Sequence, residues 1–98
     1  MKILAMDRFL PGVTEEKVYP HLKEEAARAW ELYTNEVFRE IYFRKDRPGA
    51  VLILECNDVE EAREVLNSLP LVKANLIEFD IIPLGPFMPF SVLFAEEG

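Results

Sequence analysis

The segment that decides the fold is VFREIYFRKDRPGAVLILEC, Val37 to Cys56. Both of its ends are rich in β-branched and aromatic residues, which favour strands. The five residues between them, KDRPG, are turn formers. Because so short a link joins strands in antiparallel order, the segment predicts a β-hairpin with strands at 37–44 and 50–56.

A helix is predicted before the hairpin, from about Tyr19 or Pro20 to Thr34. Its apolar residues recur at helical spacing: Leu22, Ala26, Ala29, Trp30 and Tyr33. Proline suits the first turn of a helix and not its interior, so Pro20 marks the start. Asn35 is the residue expected to adopt a left-handed conformation at the end.

A second helix is predicted after the hairpin. Asp58 is a good N-cap, and Glu61 stands three residues later, as in a capping box. The apolar stripe of this helix is Val59, Ala62, Val65, Leu66 and Leu69. Pro70 is expected to end it.

Two further strands complete the pattern, one at 2–10 and one at about 72–82. The order β-α-β-β-α-β predicts a ferredoxin-like α+β fold, with a four-stranded antiparallel sheet and two helices on one face. We expect one domain over residues 1–98, with an apolar C-terminal tail from about 83 to 98.

Apolar residues occur on both faces of nearly every predicted strand. Strand alternation puts Val37, Arg39, Ile41 and Phe43 on one face of the first hairpin strand, and Phe38, Glu40, Tyr42 and Arg44 on the other. Two helices can cover only one face, so a second copy is predicted to cover the other, in a homodimer or a higher homo-oligomer. The aromatic residues at 87–94 would be buried on that neighbour or over the helices.

Composition excludes several function classes. The formal net charge is −7, from 18 acidic and 11 basic residues, which disfavours binding to nucleic acid. No stretch reaches the ~20 apolar residues of a membrane span. A single cysteine allows no intrachain disulfide, and we expect a soluble, cytoplasmic protein. A single histidine predicts no metal site, and the lack of a glycine-rich phosphate loop predicts no nucleotide cofactor.

Glu78 and Asp80 stand out, because they share one face of the last predicted strand. Carboxylates in a partly dry pocket have raised pKa values and can take up and return a proton. Alternatively, they lie on a solvated face and pair with arginines such as Arg8, Arg39 or Arg44.

The chain resembles the muconolactone isomerase-like family of dimeric α+β barrels. The resemblance lies in LPL at 69–71 followed by IEFD at 77–80, in REIY at 39–42 and in NDVEEA at 57–62. It implies a cofactor-free enzyme that moves a proton in a small unsaturated lactone or ring compound. It also implies a ligand pocket between sheet and helices.

Applied to this sequence, the resemblance makes Glu78 and Asp80 the catalytic carboxylates. Arg39 would anchor a substrate anion, and Tyr42 would line the pocket. His21, at the start of the first helix, would overhang the pocket mouth. Each of these residues also has a structural interpretation, as a strand ion pair, a packing residue or a surface histidine.

An alternative function stays open. The isomerases carry histidines near the positions of Glu40 and Pro48, which this chain lacks. That difference favours a non-catalytic small-molecule binding or interaction module on the same barrel. Cys56 is expected to be a buried, inert thiol, because no basic residue adjoins it.

Overall fold

The computed structural model describes residues 1–95 and confirms the predicted ferredoxin-like α+β fold. The strands are β1 (Lys2–Phe9), β2 (Phe38–Phe43), β3 (Ala50–Glu55) and β4 (Ile77–Pro83). The helices are α1 (Glu15–Val18), α2 (Leu22–Thr34), α3 (Val59–Asn67) and α4 (Pro70–Lys73), with 3₁₀ turns at Tyr19–His21 and Met88–Phe94. All strand pairs are antiparallel, and the order across the sheet is β2-β3-β1-β4.

The core lies between the sheet and the longer helices. Alternate residues of the central strands are fully covered, as at Ile3 and Ala5 in β1 and Leu54 in β3. They pack in one cluster with Leu32 of α2 and Leu66 of α3. Each large side chain buried in this way stabilises the fold by about 1.5–3 kcal/mol.

A β-bulge changes the predicted faces of β2. Phe38 pairs with Leu54, but Glu40 and not Arg39 pairs with the next residue, Ile53. The extra residue shifts the alternation by one position, as bulges do. Phe38 therefore shares the helix-covered face with Ile41 and Phe43, whereas simple alternation put it on the other face. That prediction was wrong for β2. On β4 the predicted common face of Glu78 and Asp80 agrees with their exposure, whereas Ile77, in the opposite phase, is buried.

The N-terminus of α3 forms as predicted. Asp58 is the N-cap, and its Oδ1 accepts a hydrogen bond from the Glu61 backbone N–H at 2.8 Å. The Glu61 side chain reaches back to Asn57, whose side-chain amide donates to it at 2.8 Å. In a capping box the Glu61 side chain would accept a hydrogen bond from the backbone N–H of the N-cap, Asp58, whereas here its partner is Asn57, the residue before the N-cap.

The segment after α3 differs from its prediction. α3 ends at Asn67, three residues before Pro70, and Leu69 lies outside it. Pro70 instead opens α4, and the last strand begins at Ile77 instead of about 72. Proline at the first position of a helix loses no intrahelical hydrogen bond, which makes a new helical turn possible here. Asn75, at φ 58°, then turns the chain into β4.

The segment before α2 is also more broken than predicted. Thr14 precedes the short helix α1, Pro20 sits in a 3₁₀ turn, and α2 begins at Leu22. At the end of α2 the left-handed residue is Glu36, at φ 64°, and not Asn35.

The face of the sheet away from the helices, called the outer face below, has an apolar centre and a charged border. Register places Leu4 beside Ile53 and Ile82, and Met6 beside Val51. Charged residues flank these rows, at Lys2, Arg8, Glu40, Glu55, Glu78 and Asp80.

Beyond β4 the chain projects from the body. The molecule measures 63 × 29 × 21 Å, and the apolar side chains of residues 87–94 are exposed. Of the two predicted alternatives, burial over the helices of the same chain is therefore wrong, and burial on a neighbouring copy stays a prediction. The last three residues of the predicted tail lie outside the described residues.

Candidate functional site

A small cavity lies between α2 and the helix-covered face of the sheet. Its volume is about 180 Å³, and two carboxylates interrupt its apolar walls. The apolar walls include Ala26, Ala29, Phe38, Leu52 and Phe79. Since an apolar cavity of ~150 Å³ can hold one benzene molecule, this cavity has the size for a single small ring.

The cavity adjoins a larger, more open groove of about 630 Å³ beside the β2–β3 turn. Cavity and groove share the lining residues Asp7, Leu22, Phe43, Ala50 and Leu71. The groove is bordered by the basic residues Arg44, Lys45 and Arg47. Arg44 is held by Asp46, and that contact lowers the pKa of Asp46 to about 2. Because Glu15 and Asp46 also line the groove, a ligand would enter the cavity past a border that carries charges of both signs.

Asp7 is the first carboxylate of the cavity. It belongs to β1 in the same phase as Ile3 and Ala5, so it points towards the helices. Its Oδ1 accepts a hydrogen bond from the backbone N–H of Ala50 at 2.9 Å. Burial raises the pKa of Asp7, and the bond from Ala50 offsets part of that rise.

Gly49 makes the close approach to Asp7 possible. A Cβ at this position would lie 3.0 Å from Asp7 Oδ1 and 3.3 Å from its carbonyl oxygen. The φ of Gly49 is 149°, which residues with a side chain rarely adopt. Gly49, the glycine of the predicted turn, therefore allows the turn to pack directly against the Asp7 carboxylate.

Glu25 is the second carboxylate of the cavity and comes from α2. Its Oε1 accepts a hydrogen bond from the backbone N–H of Leu71 at 3.0 Å. Leu71 lies in the first turn of α4, whose N-cap, Leu69, has no side-chain acceptor. Glu25 thus satisfies a helix N–H that would otherwise lack a partner.

The surroundings of Glu25 favour its protonated form. Burial raises its pKa most, and the negative charge of Asp7 raises it further. The bond from Leu71 and the charge of nearby His21 act in the opposite direction. A carboxyl group with a raised pKa can act as a base when it is ionised and as an acid when it is protonated, and both Asp7 and Glu25 line the cavity. Such a pair offers both a base and an acid to one ligand.

The predicted catalytic residues lie elsewhere. Glu78 and Asp80 are on the outer face, and Arg8 donates one hydrogen bond to each. All three side chains are about half exposed. Neither carboxylate lines the cavity or the groove. The structure therefore places Glu78 and Asp80 side by side on the outer face, and neither lies near the cavity of the same chain.

Two of the predicted ligand-binding residues, Arg39 and Tyr42, line a third, shallow groove of about 500 Å³ between α2 and β2. Arg39 Nε donates to the carbonyl oxygen of Glu36 at 2.7 Å. The Tyr42 hydroxyl donates to Glu40 at 2.8 Å, and that contact raises the pKa of Tyr42. The exposed rings of Trp30 and Tyr33 complete the groove. The structure thus places Arg39 apart from Glu78 and Asp80.

His21 and Cys56 complete the predicted set. His21 lies four residues before Glu25, close enough for its charge to lower the pKa of Glu25, but it is not among the residues that line the cavity. Cys56 is buried, and burial raises the pKa of its thiol, in agreement with the inert role predicted for it.

Asp7 and Glu25 were missed by the sequence analysis, although each has a readable signal. Asp7 follows Ile3 and Ala5 in the apolar phase of a predicted strand. Glu25 lies three residues after Leu22 and four before Ala29, on the apolar stripe of a predicted helix. A charged residue in an apolar phase is the informative exception in such patterns.

Metal and membrane features are limited. Among residues 1–95, no group of three His, Cys, Asp or Glu side chains is placed to hold a metal ion. Within that same range, no helix is long and apolar enough to cross a membrane.

Comparison with known proteins identifies the fold. No family model matches the chain, and no curated protein matches it. Among solved structures, it is similar to the 5-chloro-2-hydroxyhydroquinone dehydrochlorinase TftG from Burkholderia phenoliruptrix AC1100, in complex with 2,5-dihydroxybenzoquinone. The match has a TM-score of 0.70 and 18% identity, and it covers 87% of this chain and 94% of that one. The chain therefore shares its ferredoxin-like fold with that protein.

Proposed function

We propose that this protein binds a small unsaturated ring compound between α2 and the sheet and moves a proton on it. One observation supports the proposal most strongly. Two half-buried carboxylates, Asp7 and Glu25, line the same ring-sized cavity. Burial raises the pKa of both. Raised carboxyl pKa values in a cleft are typical of acid–base sites.

The reaction needs one base and one acid. The ionised carboxylate removes a proton from a carbon beside a carbonyl group, and the electron pair of that C–H bond moves into a dienolate. The protonated carboxyl then donates a proton to the far end of the conjugated system, so the double bond shifts. Each carboxylate uses one oxygen for a backbone N–H, which fixes its orientation and leaves the other oxygen for the ligand.

The comparison with TftG is compatible with this class of ligand. That protein is a dehydrochlorinase of a chlorinated hydroxyhydroquinone, and its complex holds a six-membered ring. A competing hypothesis is a cytoplasmic homodimeric enzyme like the muconolactone isomerases, with its active site on the outer face. In that hypothesis Glu78 and Asp80 are catalytic, which requires a second copy to close the outer face over them.

A second candidate function is a binding module without catalysis. Glu25 already serves as the acceptor for the first turn of α4, and Asp7 serves as the acceptor for the β2–β3 turn. These bonds give both carboxylates a structural reason to be where they are. In this case the cavity would bind the same class of ring compound and release it unchanged.

Proton exchange on a probe lactone distinguishes these hypotheses. α-Angelica lactone shifts its double bond by moving one proton, and in D₂O the shift is followed by NMR as deuterium enters the ring. We expect Asp7→Asn and Glu25→Gln each to lower the rate by about 10²- to 10⁴-fold, because each removes one partner of the acid–base pair. Both variants keep an acceptor for the backbone N–H.

Two further variants complete the experiment. Glu64→Gln removes one negative charge from the exposed side of α3 and is expected to leave the rate unchanged. Glu78→Gln tests the outer-face site: a loss of rate in this variant alone would overturn the assignment to the cavity. Saturable binding of the lactone without any exchange would favour the binding module.

A further inference from the structure

The cavity between α2 and the sheet offers hydrogen-bond acceptors to a ligand but no free donor. Its polar side chains are those of Asp7 and Glu25, and the residues among 1–95 that line it include no lysine, arginine or histidine. The backbone N–H groups of Ala50 and Leu71, which also line the cavity, already donate to the two carboxylates. A ligand in this cavity must therefore bring its own hydrogen-bond donors.

Neither carboxylate of the cavity forms a salt bridge within the described part of the chain. The salt bridges found there involve other acidic residues, namely Glu31, Asp46, Glu55, Glu78 and Asp80. Asp7 Oδ2 and Glu25 Oε2 accept no hydrogen bond from any of residues 1–95. Burial raises the pKa of both carboxyls, because the ionised forms lose hydration that no paired cation replaces. A positively charged ligand would supply the missing opposite charge.

Aromatic rings stand beside the two carboxylates. Phe38, Phe43 and Phe79 all line the cavity. The face of an aromatic ring carries negative partial charge and attracts cations within ~6 Å of its centre. Since a sphere of 180 Å³ is only about 7 Å across, a cation held in the cavity lies near that range of the rings that line it. The rings and the carboxylates thus attract the same kind of ligand.

We propose that the ligand of this cavity is a small organic cation, a single ring that carries a protonated amine. The ammonium group donates to the second oxygens of Asp7 and Glu25, and the ring fills the apolar part of the cavity between Ala29, Leu52 and Phe79. The inference rests on the proposed function for the cavity as the ligand site, and it narrows the ring compound to a basic one. It does not depend on the transfer of a proton.

Charge along the approach to the cavity does not oppose such a ligand. Three acidic and three basic residues line the adjoining groove: Asp7, Glu15, Asp46, Arg44, Lys45 and Arg47. Over longer distances the formal net charge of −7 attracts cations and repels anions. An anionic ring compound that reached the cavity would find neither a free donor nor an opposite charge among the residues that line it.

The shallow groove between α2 and β2 is a weaker candidate for the same ligand. It presents the exposed rings of Trp30, Tyr33 and Tyr42, but its acid, Glu40, already accepts a hydrogen bond from the Tyr42 hydroxyl. Arg39 adds a positive charge to the lining of this groove. A cation bound there would stay in contact with water and close to a like charge, which weakens both attractions.

Three matched ring compounds test the charge of the ligand. Benzylamine is a cation at neutral pH, benzyl alcohol is a neutral compound of nearly the same size, and benzoate is an anion. Each is titrated into the methyl-labelled full chain at pH 7 and constant ionic strength. We expect benzylamine to bind at least ~10-fold more tightly than benzyl alcohol, because a charge-assisted hydrogen bond and the ring faces add to equal apolar contact. Benzoate should not bind. Saturable shifts should appear at the methyl groups of Leu52 and Leu69, which line the cavity.

Two variants without the negative charge identify the groups that bind the amine. Asp7→Asn and Glu25→Gln should each weaken the binding of benzylamine by ~10-fold and leave that of benzyl alcohol nearly the same, since they remove charge but keep the shape of the side chain. A variant that only disturbed the structure would weaken the binding of both compounds. Glu64→Gln removes a charge from the exposed side of α3 and should change neither affinity.

Three results would overturn the inference. They are equal affinity for benzylamine and benzyl alcohol, an affinity for benzylamine that Asp7→Asn and Glu25→Gln leave unchanged, and saturable shifts at the Trp30 indole in place of Leu52. The proposed proton transfer is tested separately, by deuterium exchange on α-angelica lactone. Selective binding of benzylamine without exchange would remove the reaction and support the inference. Exchange that depends on Asp7 and Glu25, without any preference for the amine, would support the reaction and overturn the inference.

Discussion

At the scale of single residues, Asp7 and Glu25 decide what the cavity can do. Each is a carboxylate on an apolar surface, and each is held by one backbone N–H. Their burial has an energetic cost, because the ionised form loses hydration. That cost is the physical reason why the pKa of each carboxyl is raised, and it makes the assignment testable by stability.

Asp7→Asn should stabilise the protein at neutral pH. Folding raises the pKa of Asp7. At pH values between the pKa of Asp7 in the unfolded chain and its pKa in the folded protein, the folded protein binds more protons than the unfolded chain. The free energy of unfolding therefore falls as the pH rises through that interval. Asparagine keeps an oxygen for the Ala50 N–H and removes the buried charge. We expect Tm to rise by about 2–5 °C at pH 7, with the difference vanishing near pH 3, measured by thermal melts.

Asp46→Asn is the control of opposite sign. Arg44 lowers the pKa of Asp46 to about 2, so ionised Asp46 is favoured in the folded state and its replacement should bring no gain at pH 7. A pH-independent effect of Asp7→Asn would contradict the view that the buried charge of Asp7 opposes folding.

The sequence contains the signals for Asp7 and Glu25, but not the reason to prefer them over Glu78 and Asp80. Both pairs sit in regular positions of predicted elements. The difference arises from Arg8, which β1 places opposite Glu78 on the outer face, and from the turn at Gly49, which brings a backbone N–H to Asp7. Such contacts between distant segments depend on register, which alternation alone does not fix.

At the scale of elements, helix ends show which sequence signals are reliable. Asp58 predicts the start of α3, and its side chain accepts the expected hydrogen bond. Thr14 stands at the equivalent position before α1, but its side chain makes no capping hydrogen bond. A comparison of Asp58 with Thr14 therefore measures how much the side-chain hydrogen bond of an N-cap contributes to stability.

Asp58→Ala should lower the free energy of unfolding by about 1 kcal/mol, because a backbone N–H in the first turn of α3 loses its acceptor. Thr14→Ala should change it by no more than a few tenths of a kcal/mol. Urea unfolding of both variants measures the difference. Equal losses would contradict the structural contrast between the two helix starts.

The elements that sequence analysis misplaced share one cause. Each error lies where a backbone irregularity changes the phase or the direction of the chain. The bulge at Arg39 shifts the faces of β2, and the turn at Pro70 delays β4 until Ile77. Hydrophobic periodicity predicts regular elements well, but it cannot locate a one-residue insertion. The residues before the bulge and the residues after it each show the pattern of a normal strand.

At the scale of the whole molecule, the two faces of the sheet differ in structure. The helix-covered face carries the cavity, and the outer face carries an apolar centre with a charged border. The sequence predicted two apolar faces, because its strands are apolar in both phases. It could not predict the path of the C-terminal tail, since an apolar tail is equally suited to contact its own helices or a neighbouring copy.

The central claim is that ring compounds bind under α2 and not on the outer face. Methyl NMR of the full chain, titrated with α-angelica lactone, tests it without requiring turnover. We predict saturable shifts at the methyl groups of Ala26, Ala29 and Leu52, which line the cavity, and none at Leu4 and Ile53. Saturable shifts at Leu4 and Ile53 with none at Ala26 and Ala29 would contradict the account.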